Sequence, residues 1–166
     1  MIRLLVVCLG NICRSPMAEG ALRSRIEAAG LAEVMDVDSC GTGDWHAGDA
    51  PDPRAIRCAA GHGVDIAALR ARTLEAADYR AFDALLCADA STLRIVQSRR
   101  PADASAQAAL LLDWAGQGGG DIPDPYTGDA AGFETVWSLV DEAADAIVER
   151  HRRLAPGARG SRIIRS

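Results

Sequence analysis

A chain of 166 residues, 49% apolar and 25% charged, fits one domain with a sizeable core and matches neither a disordered segment nor a membrane protein. A net charge of -5 excludes an extended nucleic-acid footprint, which needs a basic face. All 18 basic residues in the Lys+Arg total are arginines, which rules out a Walker-type lysine loop and Schiff-base chemistry and leaves any phosphate to arginine and backbone amides. The apolar start "MIRLLVVCLG" is too short for a signal peptide and no small-residue cleavage site follows, so a cytoplasmic protein without a membrane span is expected.

Arg3 to Val7 reads as a short buried strand ending at a glycine-containing turn. A helix follows, with Ser15 as N-cap and Pro16 at its first position, and runs until Gly30 stops the pattern. A second strand is expected near Val34 to Ser39, before the loop "CGTGDWHAGDAPDP", whose glycines and prolines forbid regular structure. The next helix starts after Asp52, with Pro53 first, and ends at Gly61; a third strand covers Ala84 to Cys87. Ser91 to Arg100 reads as helix closed by Pro101, and a fourth strand over Ala108 to Leu112 leads into the loop "GQGGGDIPDPYTGD". Phe133, Val136, Trp137, Val140, Ala144, Ile147 and Val148 recur at helical spacing and predict a long amphipathic helix. Strands alternating with helices predict an α/β fold in three layers, a parallel sheet covered on both faces, with its ligand at the carboxyl ends of the strands. Residues 1–154 are expected to form the domain. The tail 155–166, "APGARGSRIIRS", reads as a mobile solvated terminus.

The five cysteines, Cys8, Cys13, Cys40, Cys58 and Cys87, are an odd number without a Cys-x-x-Cys pair, and His46, His62 and His151 are scattered. Neither a disulfide framework nor a metal site is expected, and no cofactor is called for. Chemistry concentrates instead in "VCLGNICRSP". Cys8 ends a strand just before a helix whose first N–H groups point back at it, a positive setting that favours thiolate. Leu9, Gly10, Asn11, Ile12 and Cys13 can curl into a nest of backbone N–H groups, Gly10 and Asn11 supplying positive φ. Arg14 closes the ring with a planar fork matched to two phosphate oxygens, and Ser15 can donate a hydrogen bond to the sulfur. A buried, inert cysteine is the usual fate of a free thiol. The combination of strand, cysteine, five residues, arginine, serine and proline-started helix is far more specific, and it predicts a phosphate cradle.

These residues, with "GTGDWHAG", "PDPRA", "FDALLCAD", "DPYTGD" and "FETVW", resemble the low-molecular-weight protein tyrosine phosphatases over most of the chain, from Leu4 to about Arg153. The resemblance implies a four-stranded sheet in the order 2-1-3-4, a nucleophile at Cys8, a phosphate-binding arginine at Arg14, a thiolate-supporting hydroxyl at Ser15 and a general acid at Asp124. It also implies that Asn11 is strained and left-handed, pinned by hydrogen bonds from Ser39 and His62. Read without it, an Asp-Pro in a glycine-rich loop is more often turn chemistry, although Pro123 and Pro125 stiffen the loop that carries Asp124, and Asp121 and Asp129 are lesser candidates. Trp45 and Tyr126 stand in the two loops expected to rim the cleft, where they could sandwich a phenyl ring. The implied substrate is a phosphotyrosine protein or aryl phosphate, with a bacterial-type tyrosine kinase one candidate partner, and no metal or cofactor is needed.

Three rivals share parts of this pattern. A thioredoxin-coupled arsenate reductase would relay a disulfide to a closely spaced downstream cysteine pair, whereas only Cys87 follows Cys58 here. A phosphoarginine phosphatase tends to carry threonine where Ile12 stands, and isoleucine leaves a drier pocket. A module that only binds phosphorylated partners needs no poised aspartate. Cys13 is also expected close enough to Cys8 to guard it by a disulfide on oxidation.

Overall fold

The structure, a computed structural model, describes residues 1–155; the expected tail therefore lies, beyond Ala155, outside the described residues. The chain begins with β1 (Ile2–Cys8), α1 (Arg14–Ala28), β2 (Met35–Gly41) and α2 (Pro53–Gly61). A short α3 (Asp78–Ala81) precedes β3 (Ala84–Cys87), α4 (Ala90–Ser98) and β4 (Gln107–Leu110). The chain then turns through α5 (Leu111–Trp114) and enters α6 (Ala130–Leu154). The four strands pair in parallel in the order β2-β1-β3-β4.

Strand alternation in β1 divides the core into two layers. Leu4, Val6 and Cys8 face a cluster built with Met17 and Leu22 of α1, Ala55 and Ala59 of α2, and Phe133, Val136 and Val140 of α6. Leu5 and Val7 face the opposite cluster, which includes Tyr79 of α3, Phe82 at its end and Val96 of α4. With both faces covered, β1 and β3 can be continuous apolar runs, and the polar chemistry is confined to the strand ends.

Several boundaries differ from the sequence reading. α1 starts at Arg14, with Cys13 in the cap position, so Ser15 lies inside the first turn and does not cap. β2 begins at Met35 and runs on to Gly41, where pairing with Cys8 keeps it extended. α4 starts at Ala90 because the Asp89 side chain accepts from the Thr92 N–H at 2.7 Å. Leu111 and Leu112 leave the sheet and coil into α5, burying both side chains in the α6 layer, so β4 is shorter and shifted by one residue. α3 has no apolar period of its own; Asp78 and Tyr79 are buried by tertiary contacts. α2 and α6 are capped by Asp52, which accepts from the Arg54 N–H, and by Asp129, which accepts from the Gly132 N–H.

Candidate active site

β1 delivers Cys8 to the carboxyl edge of the sheet, where the chain bends through residues 9–13 into α1. The sulfur is buried, 3.0 Å from Ser15 Oγ, and accepts from the Asn11 main-chain N–H at 3.3 Å. The chain just past β2 holds the outside of the bend: the Thr42 and Gly43 N–H groups donate to the carbonyls of Cys8 and Leu9, each at 2.9 Å. Among the described residues, Asn11 is the one non-glycine with positive φ, at 56°. Gly10 is not in that region; its missing side chain serves a different purpose, because a Cβ there would stand 3.1 Å from His46 Cδ2.

Three contacts hold the strained Asn11. Its Nδ2 donates to Ser15 Oγ (2.7 Å) and Ser39 Oγ (2.9 Å), and its Oδ1 accepts from the Arg72 main-chain N–H (3.0 Å). His62 is outside this network, contrary to the expectation from the resemblance. It sits at the end of α2, with Nε2 2.7 Å from Glu134 Oε2 and its ring stacked on Trp137. Ser39 in turn donates to the buried Glu19 at 2.8 Å, and Arg23 donates to the other carboxylate oxygen at 3.1 Å. Burial pushes the Glu19 carboxyl up from its ordinary range, against the pull of Ser39 and Arg23. Arg72 extends the support by pairing with Asp38 and Asp78.

Arg14, 4% exposed, directs Nη1 to Asp89 Oδ2 (2.7 Å) and the Ile122 carbonyl (3.0 Å). Burial alone would lower its pKa. The Asp89 bond and the charges of Cys8, Asp89 and Asp124 outweigh that and hold it above the ordinary arginine value. The Asp89 carboxyl, which burial alone would raise, is held below the usual range by Arg14 and Thr92. Asp124 brings Oδ2 to 3.7 Å from Arg14 Nη2, while its Oδ1 accepts from the Tyr126 N–H at 3.1 Å in a local turn. The loop carrying it is tied at both ends. Ile122 donates its N–H to the Ala88 carbonyl at 2.8 Å, and Arg54 donates to the carbonyls of Tyr126 (2.9 Å) and Gly128 (3.3 Å).

One cleft is lined by Cys8, Leu9, Gly10, Ile12, Cys13, Arg14, Trp45, His46, Asp124 and Tyr126. Asn11, Ser15 and Ser39 lie beneath it rather than on its wall. Trp45 and Tyr126 are large, exposed aromatics on its rim, and His46 stands between the loops, its ring centroid 6.5 Å from that of Tyr126. All five cysteines are free; burial raises the Cys13 thiol to about 12, which keeps it protonated beside Cys8. Sequence reasoning missed His46, Asp89, Glu19 and Arg72. Two of these carry a signal: His46 as the neighbour of Trp45 in the rim loop, and Asp89 as the last residue of "FDALLCAD".

An α/β sheet with a cysteine at its carboxyl edge, ringed by a bend and a buried arginine, is an arrangement whose chemistry suits an oxyanion. The family model described as low molecular weight phosphotyrosine protein phosphatase matches residues 3–155, and the chain belongs to that family of hydrolases. It is 43% identical to a low molecular weight phosphotyrosine protein phosphatase of Schizosaccharomyces pombe, over 84% of this chain and 91% of that one. A low molecular weight protein-tyrosine-phosphatase of Streptomyces coelicolor is 39% identical, over 93% and 96% respectively. A solved protein tyrosine phosphatase of Entamoeba histolytica, with Hepes in its active site, superposes with a TM-score of 0.85 at 28% identity, covering 91% of this chain and 97% of that chain.

Proposed function

We propose that this tyrosine phosphatase works through a phosphocysteine formed on Cys8, with Asp124 as proton donor and acceptor. The observation that carries this reading is the convergence of Cys8, Arg14 and Asp124 in one cleft between two aromatic walls. Among the described residues, the main-chain N–H groups of Gly10, Ile12 and Cys13 donate to no main-chain carbonyl, which leaves them for the oxygens of a phosphoryl group. The Cys8 thiolate attacks phosphorus, the S–P bond forms and the P–O bond breaks. The loop N–H groups and Arg14 stabilise charge on the equatorial oxygens, and Asp124 gives its proton to the departing phenolate. The ionised Asp124 then takes a proton from water as the water oxygen attacks phosphorus. The S–P bond breaks, phosphate leaves, and both groups return to their starting states.

Trp45 and Tyr126 suit an aryl ester, and Ile12 keeps the pocket apolar. A disulfide relay of the arsenate reductase kind has no route here. Among the described cysteines only Cys8 and Cys13 line the cleft, Cys40 and Cys87 are fully buried in the sheet, and Cys58 faces Glu134. The natural substrate we favour is a phosphotyrosine protein, a bacterial-type tyrosine kinase being one partner of fitting chemistry.

Steady-state hydrolysis of an aryl phosphate by wild type, Cys8→Ser and Asp124→Ala tests the mechanism. Cys8→Ser should show no turnover, and Asp124→Ala should lose roughly 10²-fold or more in kcat. Undiminished turnover in Cys8→Ser would remove the covalent step, and binding of phosphopeptide without hydrolysis by wild type would make the chain a binding module.

A further inference from the structure

Outside the cleft, tertiary packing gathers a set of donor side chains that the phosphatase chemistry does not use. Cys58 and His62 stand four residues apart at the C-terminal end of α2, so helical geometry places them on one face. Glu134, near the start of α6, lies against both. The Cys58 thiol donates to Glu134 Oε1 at 3.3 Å, and His62 Nε2 lies 2.7 Å from Glu134 Oε2. One donor atom from each residue falls within 4.8 Å of the other two, and none of the three residues lines the catalytic cleft.

We propose that Cys58, His62 and Glu134 form a binding site for one divalent transition-metal ion of the zinc class, bridging α2 and α6. The donor set selects that class. Thiolate and imidazole favour zinc and its neighbours in the first row, whereas magnesium and calcium take oxygen ligands. Ligands of a tetrahedral zinc ion sit about 2.0–2.3 Å from the metal, which puts them roughly 3.5 Å from one another. Two of the present separations, 3.3 and 2.7 Å, lie close to that value and no pair of donor atoms is more than 4.8 Å apart, so small side-chain rotations suffice.

The surroundings favour a preformed site. Cys58 is buried and fixed by its helix, and the His62 ring lies nearly parallel to Trp137, with centroids 5.1 Å apart. His62 and Glu134 are partly exposed, their side chains 40% and 57% accessible, which gives an ion a path in and water a fourth coordination position. As the ion binds, the Cys58 thiol releases its proton to solvent, and a neutral His62 offers its Nε2 lone pair with its proton on Nδ1. No oxidation takes place.

The ion would tie together the two helices that frame the catalytic loops. The Asp52 N–H at the head of α2 donates to the Ile12 carbonyl at 2.8 Å, Arg54 holds the Asp124 loop, and α6 begins five residues beyond Asp124 at its Asp129 cap.

Zinc titrated calorimetrically into the full chain carrying Cys8→Ser, which removes the reactive sulfur as a competing ligand, tests the site. Cobalt absorption reports thiolate coordination in parallel. One ion per chain is expected, with a thiolate-to-cobalt charge-transfer band and a zinc-dependent rise in the thermal midpoint. His62→Ala and Glu134→Gln, both at accessible positions, should each weaken binding by at least about tenfold. Cys58→Ser should abolish the band. Undiminished affinity in a His62→Ala, Glu134→Gln double variant, a missing cobalt band, or no saturable zinc binding would each overturn the proposal.

Discussion

Ser15 stands between Cys8 and Asn11, and its single proton decides how it acts. Its oxygen accepts from Asn11 Nδ2 at 2.7 Å, so the proton is left to point at Cys8 Sγ, 3.0 Å away, or at the Cys40 carbonyl, 3.5 Å away. The shorter contact wins when the sulfur is anionic, because hydrogen bonds to charged acceptors are the stronger ones. Such a bond is worth about 1.5–3 kcal/mol. Ser15→Ala should therefore lower kcat by roughly ten- to a hundredfold. Rapid-quench measurement should find the loss in breakdown of the phosphocysteine, where the unsupported thiolate is the leaving group. Asn11 presents a complementary case, because Arg72 holds it through the main chain. Arg72→Ala keeps that N–H and removes the ion pairs to Asp38 and Asp78, whereas Asn11→Ala removes all three pins and adds the steric cost of φ 56°. Denaturation and kinetics on both variants should separate them: Arg72→Ala loses stability more than activity, Asn11→Ala loses activity more than stability.

The end of β2 shapes the cradle from outside. A Cβ on Gly41 would come within 2.7 Å of the Leu9 carbonyl oxygen and 3.2 Å of the Asn11 nitrogen, both backbone atoms with little freedom to yield. Gly41→Ala should displace the bend, cutting kcat/KM for an aryl phosphate by at least about tenfold while the far-UV circular dichroism stays that of the wild type. Unchanged kinetics would show that the bend adapts. At this scale the sequence is legible where one element carries its own signal. "VCLGNICRSP" places cysteine, bend, arginine and helix within ten residues, so strand, turn and helix signals coincide there. β3 shows the same directness, because Ala84 to Cys87 is a short apolar run between polar breaks. α3 and α5 are single turns formed by tertiary burial, and no period in the sequence marks them. The resemblance implies His62 as a pin on Asn11 where Arg72 supplies one instead, because a main-chain donor leaves no trace in side-chain type.

Across the whole molecule, the cradle is coupled to the α1–β2 interface through a line of buried polar groups that ends at the exposed Arg23. Cys8, Ser15, Asn11, Ser39, Glu19 and Arg23 follow one another by hydrogen bonds. A glutamate in a helix is ordinarily solvated, and only the packing of α1 on β2 buries Glu19. That burial has a consequence for stability. Because burial raises the Glu19 carboxyl above its unfolded value, the folded state holds the proton more tightly than the unfolded chain does. The stabilising contribution is fully present below the unfolded carboxylate range and is lost as pH rises through the raised folded value. Glu19→Gln keeps the shape and an oxygen able to accept from Ser39, but it cannot ionise. In urea denaturation from acidic to neutral pH, the stability of the variant relative to wild type should climb as pH passes upward through the carboxylate range and then level off. Parallel curves would mean that Ser39 and Arg23 fully compensate the buried charge, leaving Glu19 with no part in the pH dependence of the fold.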